Sequence, residues 1–257
     1  MYGESVFTTM RMINGSFQDW EFHFERLVKG IDFLYGPFTD QEDWKMVLKN
    51  RLEDKMQDLQ GDKVIRMAIY REQTRGLLRI GLLSVSDLRI QMSHSALDRE
   101  RYENKLIKLR TCPVIKRPQW WPSYLKAGNY LETIMSQKMF MKPGDDDILF
   151  LSDEDTVLES SIANIFVVRH NKLYTAPSGP NVLEGVMRRK LITVAVDYFD
   201  EVYESKTTME QLLKADAVIG TNSVRGLFLV DRIDDYEIIY SEDFLDKFKR
   251  LKDRVFL

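Results

Sequence analysis

The sequence predicts an α+β protein in two domains, a small one over residues 1–92 and a larger one over residues 98–257. Three observations point that way. Up to Val85 the chain reads strand, helix, helix and then two β-rich runs. A polar, charged stretch from Asp87 to Asn104 breaks that pattern and places the boundary near residues 90–97. Beyond it, strand-like and helix-like segments are interspersed to the C-terminus.

The elements follow in order. Ser5–Ile13 (SVFTTMRMI) is rich in β-formers and ends at Asn14-Gly15, the strongest short hairpin signal. Over residues 23–35, Phe24, Leu27, Ile31 and Leu34 recur at helical spacing. A second helix is expected over 40–59, capped by Thr39 or Asp40 and closed by Gly61. The runs 63–70 and 77–85 then read as strands joined by a short charged turn. In the larger domain, strands are expected at 105–111, 148–151, 161–169, 173–176 and 217–220. Helices are expected at 129–140, 185–199, 208–214 and 241–250.

Composition narrows the function. Of 257 residues, 44% are hydrophobic and 30% charged, a balance that excludes a disordered or fibrous chain. Lys plus Arg number 37 against 40 for Asp plus Glu, and no basic stripe is visible, so a nucleic-acid partner is not expected. Cys112 is the one cysteine, which excludes an intrachain disulfide and a Cys-based metal cluster. His23, His94 and His170 show no ligand spacing, so no metal is expected. Asp145-Asp146-Asp147 lacks the rest of a calcium loop and reads as a solvated turn. The opening MYGESVFTTM lacks the basic start and apolar run of a signal peptide, and no apolar run approaches a membrane span. A cytoplasmic protein without a membrane partner is the expectation.

The usual nucleotide, hydrolase and zincin motifs are absent, and four weaker features remain. Lys126, in Ser123-Tyr124-Leu125-Lys126-Ala127-Gly128-Asn129-Tyr130, follows Pro118-Gln119-Trp120-Trp121-Pro122, whose aromatics could desolvate its amine and free it as a nucleophile. Glu159 ends a charged turn and enters an apolar strand, where a carboxylate needs a partner such as a cationic ring nitrogen. Gly185-Val186 opens a helix whose free N–H groups could hold a phosphate. Gly220-Thr221-Asn222-Ser223 reads as a small hydroxyl-rich turn that could do the same. Taken alone, each reads as an ordinary surface residue, cap or turn. Together they are the parts a pyridoxal 5'-phosphate site requires.

At this point the residues resemble a family, the fold-type IV pyridoxal phosphate enzymes. It comprises branched-chain and D-amino acid aminotransferases and 4-amino-4-deoxychorismate lyase. Gly3-Glu4-Ser5-Val6-Phe7-Thr8-Thr9-Met10-Arg11 resembles the opening strand. His23-Phe24-Glu25-Arg26-Leu27 resembles the H-x-x-R-L helix, which implies that Arg26 binds the cofactor phosphate. Lys126 with Asn129-Tyr130 resembles the segment that carries the cofactor, with Tyr130 beside it. Val157-Leu158-Glu159 with Ser161, Asn164 and Phe166 resembles V-x-E-x-x-x-x-N-x-F, whose glutamate pairs with the pyridine nitrogen. Leu183-Glu184-Gly185-Val186-Met187-Arg188 resembles the phosphate helix, and Gly220-Thr221-Asn222-Ser223 the second phosphate turn.

The resemblance implies a small α+β domain, a larger mixed β-barrel-like domain with helices, pyridoxal 5'-phosphate, an amine substrate and a homodimer. Lys126 and Glu159 are the implied catalytic pair, and Thr9 and Arg75 the implied substrate contacts. Phe7-Thr8-Thr9 is most similar to the lyase subgroup, which releases pyruvate and 4-aminobenzoate for folate synthesis. The alternatives are an amino acid aminotransferase and a non-catalytic protein of the same fold. The chain begins at Met1-Tyr2-Gly3, where the family carries a preceding strand, so an open sheet edge is expected beside the opening strand.

Overall fold

A computed structural model describes residues 4–39, 43–71, 83–103, 105–117, 125–179 and 181–256. It divides into two compact units, Met1–Leu97 with Leu125–Tyr130, and Asp98–Tyr124 with Leu131–Leu257.

In the first unit, β1 (Ser5–Ile13) has the expected bounds and turns at Asn14-Gly15 into the two-residue β2 (Ser16–Phe17). Helices α1 (Trp20–Tyr35) and α2 (Trp44–Met56) lead to β3 (Lys63–Arg71) and β4 (Leu88–Ala96). The antiparallel sheet runs β2-β1-β3-β4. Strand alternation sends Val6, Met10 and Met12 of β1, with Ile65, Met67 and Ile69 of β3, to one face. Leu27 and Ile31 of α1 and Leu48 and Leu52 of α2 cover that face, all essentially without solvent exposure. Each such side chain contributes roughly 1.5–3 kcal/mol by leaving water.

Three expectations change here. The first helix begins earlier, at Trp20. The second is shorter than 40–59: Asp40 lies outside the described residues, and Thr39 donates its N–H to the Leu83 carbonyl rather than capping the helix. The partner of β3 is not the run 77–85. Residues 77–82 lie outside the described residues, Leu83 makes a lone bridge to Phe38, and Val85–Asp87 is a 3-10 turn. The partner is β4, inside the stretch read as polar. It is an edge strand whose Leu88, Ile90 and Met92 alternate with exposed polar residues, so its apolar signal is diluted.

The second unit begins with α3 (Arg99–Glu103), β5 (Ile107–Thr111), α4 (Leu131–Phe140), β6 (Asp147–Leu151) and β7 (Val157–Ser160). Next come β8 (Asn164–Arg169), β9 (Lys172–Thr175), α5 (Val186–Ala195), β10 (Glu201–Glu204) and α6 (Met209–Leu213). The chain ends with β11 (Ala217–Asn222), β12 (Gly226–Ile233), β13 (Tyr236–Glu237) and α7 (Glu242–Val255). The strand order β10-β9-β8-β11-β12-β5-β6-β7 closes where β7 returns to β8, so six strands form the barrel of the expected fold class. One apolar cluster includes Ile107, Leu149, Val167, Val218 and Val230. A second, including Phe166, Ile219 and Leu229, packs the barrel against α5 and α7.

Here too the strands differ from expectation. Residues 157–160 are a strand of their own, 161–163 are the connection to β8, and 220–222 belong to β11 rather than to a turn. Strand β12 was not anticipated because Gly226–Val230 is buried on both faces and shows no alternation. Asp145-Asp146-Asp147 is no solvated turn. The fully buried Asp145 carboxylate pairs with Arg110 and Arg232, and Asp147 is buried against Ser161 and Gln137. Among the described residues no helix is long and apolar enough to cross a membrane.

Candidate functional site

Two polar clusters stand out, one in each unit. The first is built on the free edge of β1. The Phe7 N–H donates to the Lys126 carbonyl at 2.9 Å, and the Gly128 N–H donates to the Ser5 carbonyl at 2.8 Å. The edge expected to be open is therefore occupied along Ser5–Phe7 by the segment that carries Lys126. The Lys126 ammonium donates to the Tyr130 hydroxyl at 3.1 Å and lies 4.8 Å from the Phe7 ring centroid. Phe7 and Tyr130 meet edge to face at 5.3 Å. These two rings supply the apolar surroundings assigned to Trp120 and Trp121, which lie outside the described residues.

Alternation splits the threonine pair of β1. Thr8 shares the core face with Val6 and Met10 and is fully buried. The Arg26 guanidinium donates to Thr8 Oγ1 at 2.8 Å and faces His23 Nδ1 at 3.4 Å; because a guanidinium can only donate, Nδ1 accepts, and the Thr8 hydroxyl, 2.7 Å away, donates to it as well. That order makes the buried His23 an acceptor at Nδ1, a neutral imidazole. Burial, then the charges of Arg26 and Lys126, hold its pKa well below the ordinary 6.5. Burial likewise pulls Arg26 down to about 10, while Tyr130 acts in the opposite sense. No carboxylate pairs with Arg26 among the described residues, and its buried Nε has no acceptor. A buried guanidinium of this kind fits a multivalent anion.

Thr9 points to the opposite face, with Phe7. Across the sheet it faces Arg66, whose guanidinium lies 4.1 Å from the Phe7 centroid without a carboxylate partner among the described residues. Neither Thr8, His23 nor Arg66 was singled out as a site residue. The Thr9–Arg66 register could be found only by pairing β1 with β3. Arg75 lies outside the described residues.

The second cluster sits where the barrel closes. The turn 161–163 sets Glu159 opposite Asn164. Glu159 Oε1 accepts from Lys116 Nζ at 2.6 Å, and Oε2 accepts from the Leu183 N–H at 3.0 Å and from Asn164 Nδ2 at 3.4 Å. Asn164 Nδ2 also donates to the Leu183 carbonyl at 2.8 Å. Lys116 was missed, since only the folded barrel brings β5's continuation beside β7. Gly185 follows directly as the residue before α5, with no side chain capping the helix. A Cβ there would lie 2.1 Å from Asn164 Oδ1, so glycine is what lets the helix start touch the asparagine. Val186 opens α5 and is buried. Arg188 is structural, tied to the Ala176 carbonyl and Glu204.

Thr221 lies in β11 on the same face as Ala217 and Ile219, the face turned to Met187 and Leu191 of α5. It is buried, and its Oγ1 has no partner. Asn222 uses its carboxamide oxygen to hold the N–H groups of Val224 and Arg225. Gly220 serves packing: a Cβ there would lie 2.2 Å from the Phe228 ring. Lys126, Tyr130, Arg26 and Thr9 thus belong to the first unit, and Glu159, Gly185, Val186, Gly220, Thr221 and Asn222 to the second.

Comparison with known proteins adds four findings. Residues 5–233 match the family model described as amino-transferase class IV. An aminodeoxychorismate lyase of Vibrio harveyi is 25% identical over 237 residues, 90% of this chain and 84% of that protein. Among solved structures, a 4-amino-4-deoxychorismate lyase from Pseudomonas aeruginosa superposes with a TM-score of 0.82 at 23% identity, covering 100% of this chain and 93% of its own. A branched-chain aminotransferase of Thermoproteus uzoniensis gives 0.82 at 22% identity, covering 99% and 86%.

Proposed function

Because the chain belongs to the class IV aminotransferase family of pyridoxal-phosphate-dependent enzymes, we propose that it is a 4-amino-4-deoxychorismate lyase, releasing pyruvate and 4-aminobenzoate in folate synthesis. The observation that carries this choice is the face of β1 beside Lys126. It presents Phe7, the Thr9 hydroxyl and, across the sheet, the Arg66 guanidinium, a surface suited to an aromatic-forming carboxylate substrate.

The cofactor fits the residues present. Within the second unit, the uncapped start of α5 at Gly185-Val186 and the orphaned hydroxyl of Thr221 are donors suited to its phosphate; within the first, Arg26 with its unmatched Nε is itself a guanidinium suited to an anion. Lys126 is the amine that would carry it, with Tyr130 beside that amine, and Glu159 is the carboxylate for its ring nitrogen. When bound, pyridoxal phosphate supplies an electron sink for charge developing at the amine-bearing carbon.

The chain's own residues then move protons. With its amine free, Lys126 would take the proton from the amine-bearing ring carbon of the substrate. It returns a proton to the enolpyruvyl methylene as the ether C–O bond breaks. Pyruvate leaves, and the ring becomes 4-aminobenzoate with atoms balanced. Phe7 and Tyr130 shield the amine from water. Arg66 meets a substrate carboxylate. Gly220 and Asn222 shape the end of β11 that carries Thr221.

The likeness to a branched-chain aminotransferase structure supports a second reading, amino acid transamination by the same lysine. A coupled assay of the purified protein decides between them. Stoichiometric pyruvate and 4-aminobenzoate, abolished by Lys126→Ala, is the expected result; keto acid formation from branched-chain or D-amino acids without lyase turnover would replace the proposal. A homodimer is part of it, because α4 exposes Leu131, Ile134, Met135 and Met139 along one face. Light scattering should give twice the chain mass, and a monomer would refute this.

A further inference from the structure

The turn after β11 holds an arginine that no step above employs. Arg225 is partly exposed, yet its Nη1 is buried and has no hydrogen-bond partner, and no carboxylate pairs with it among the described residues. Its guanidinium carbon lies 5.4 Å from the Tyr102 ring centroid and 5.9 Å from that of Phe228. Two rings within cation–π range hold a guanidinium in place and dry it, but neither satisfies its N–H groups.

The root of the side chain is fixed as firmly. Asn222 Oδ1 accepts from the Val224 N–H at 2.9 Å and from the Arg225 N–H at 2.7 Å. Phe228 in turn sits against Gly220, where a side chain would displace it. Gly220 and Asn222 thus have a common physical consequence, the placement of Arg225. A desolvated, preorganised guanidinium with a free donor edge is costly unless an anion meets it, and a planar carboxylate matches its fork.

We propose that Arg225, held by Tyr102 and Phe228, binds a carboxylate of the substrate and makes the enzyme selective for acidic amines. This rests on the reading under Proposed function. Since pyruvate and 4-aminobenzoate each bear one carboxylate, the substrate they come from bears two, and each calls for a cationic partner. The same guanidinium chemistry would also suit the cofactor phosphate, a role given above to Thr221 and Arg26, and the test separates these sources.

The test uses the cofactor-loaded protein, with glutarate as probe and glutaramide as its uncharged counterpart, both by calorimetry, alongside pyridoxal phosphate titrations. Wild type should prefer glutarate. Arg225→Met should weaken glutarate roughly ten- to hundredfold, the factor for losing a charge-assisted hydrogen bond, and leave cofactor affinity within about twofold. Arg225→Lys should retain part of the affinity and decides the matter if the methionine variant does not fold. Thr221→Val should show the reverse pattern, weaker cofactor with glutarate binding kept. Glutarate bound no better than glutaramide, or bound equally by wild type and both Arg225 variants, overturns the proposal. Loss of cofactor affinity in Arg225→Met as large as in Thr221→Val overturns it too, in favour of a phosphate ligand. Wild type that takes up no pyridoxal phosphate refutes the underlying reading, and this proposal with it.

Discussion

Alanine at Gly185 should disturb Glu159, although the two residues lie on different elements. The new Cβ would stand 2.1 Å from Asn164 Oδ1, far inside contact distance, so the carboxamide must turn away. Asn164 then gives up its bond to the Leu183 carbonyl at 2.8 Å and its longer one to Glu159 Oε2 at 3.4 Å. The first is worth about 1 kcal/mol; the second, to a carboxylate but stretched, contributes at the low end of about 1.5–3 kcal/mol. A loss of about 2–4 kcal/mol follows, a drop in Tm of roughly 5–12 °C for a chain of this size. Alanine in place of glycine at a helix N-cap by itself costs under about 1 kcal/mol. Thermal melts of Gly185→Ala, Asn164→Ala and the double variant separate the contributions, because the clash vanishes once Asn164 is alanine. The alanine should therefore cost less than about 1 kcal/mol in the second background. Additive losses, or a Gly185→Ala protein within about 0.5 kcal/mol of wild type, would refute this coupling.

Glu159→Gln should destabilise as well as inactivate. Every partner of Glu159 named above is a donor, Lys116 Nζ, the Leu183 N–H and Asn164 Nδ2, so a glutamine amide sets N–H against N–H. The expected loss is about 2–4 kcal/mol in a denaturant titration, partly recovered by Lys116→Met in the same chain; an unchanged midpoint contradicts it. Buried His23 stays neutral in the folded protein but gains a proton below pH 6.5 when unfolded. The unfolded state then binds more protons, so stability falls as pH drops below 6.5, by up to about 1.4 kcal/mol per pH unit, and recovers above it. His23→Gln should flatten that profile, and parallel profiles for the two proteins would show that His23 is not its source.

Local signals carried much of the fold. The Asn14-Gly15 hairpin and the bounds of β1 were legible because turn chemistry and β-propensity act over a few residues. Edge strand β4 and the buried β12 were not, because the periodicity that marks a strand depends on which faces the rest of the chain covers. Lys126, Glu159 and Gly185 could be singled out from residue type and order, and Arg26 through the family resemblance. Their partners could not. Thr8 reaches Arg26 and His23 only through the seating of α1 on β1, and Lys116 reaches Glu159 only once the barrel closes. At Gly220 and Asn222 the sequence suggested a phosphate turn; that Gly220 also seats the Phe228 ring, and that Asn222 also holds the turn bearing Arg225, could be seen only once the strands paired.

The most direct test of the chemistry is borohydride reduction of the pyridoxal-phosphate-loaded protein, followed by peptide mass analysis. A phosphopyridoxyl group on Lys126 alone, one per chain and absent from Lys126→Ala, is the expected result. Cofactor fixed to another lysine, or retained covalently by the Lys126→Ala protein, would contradict it.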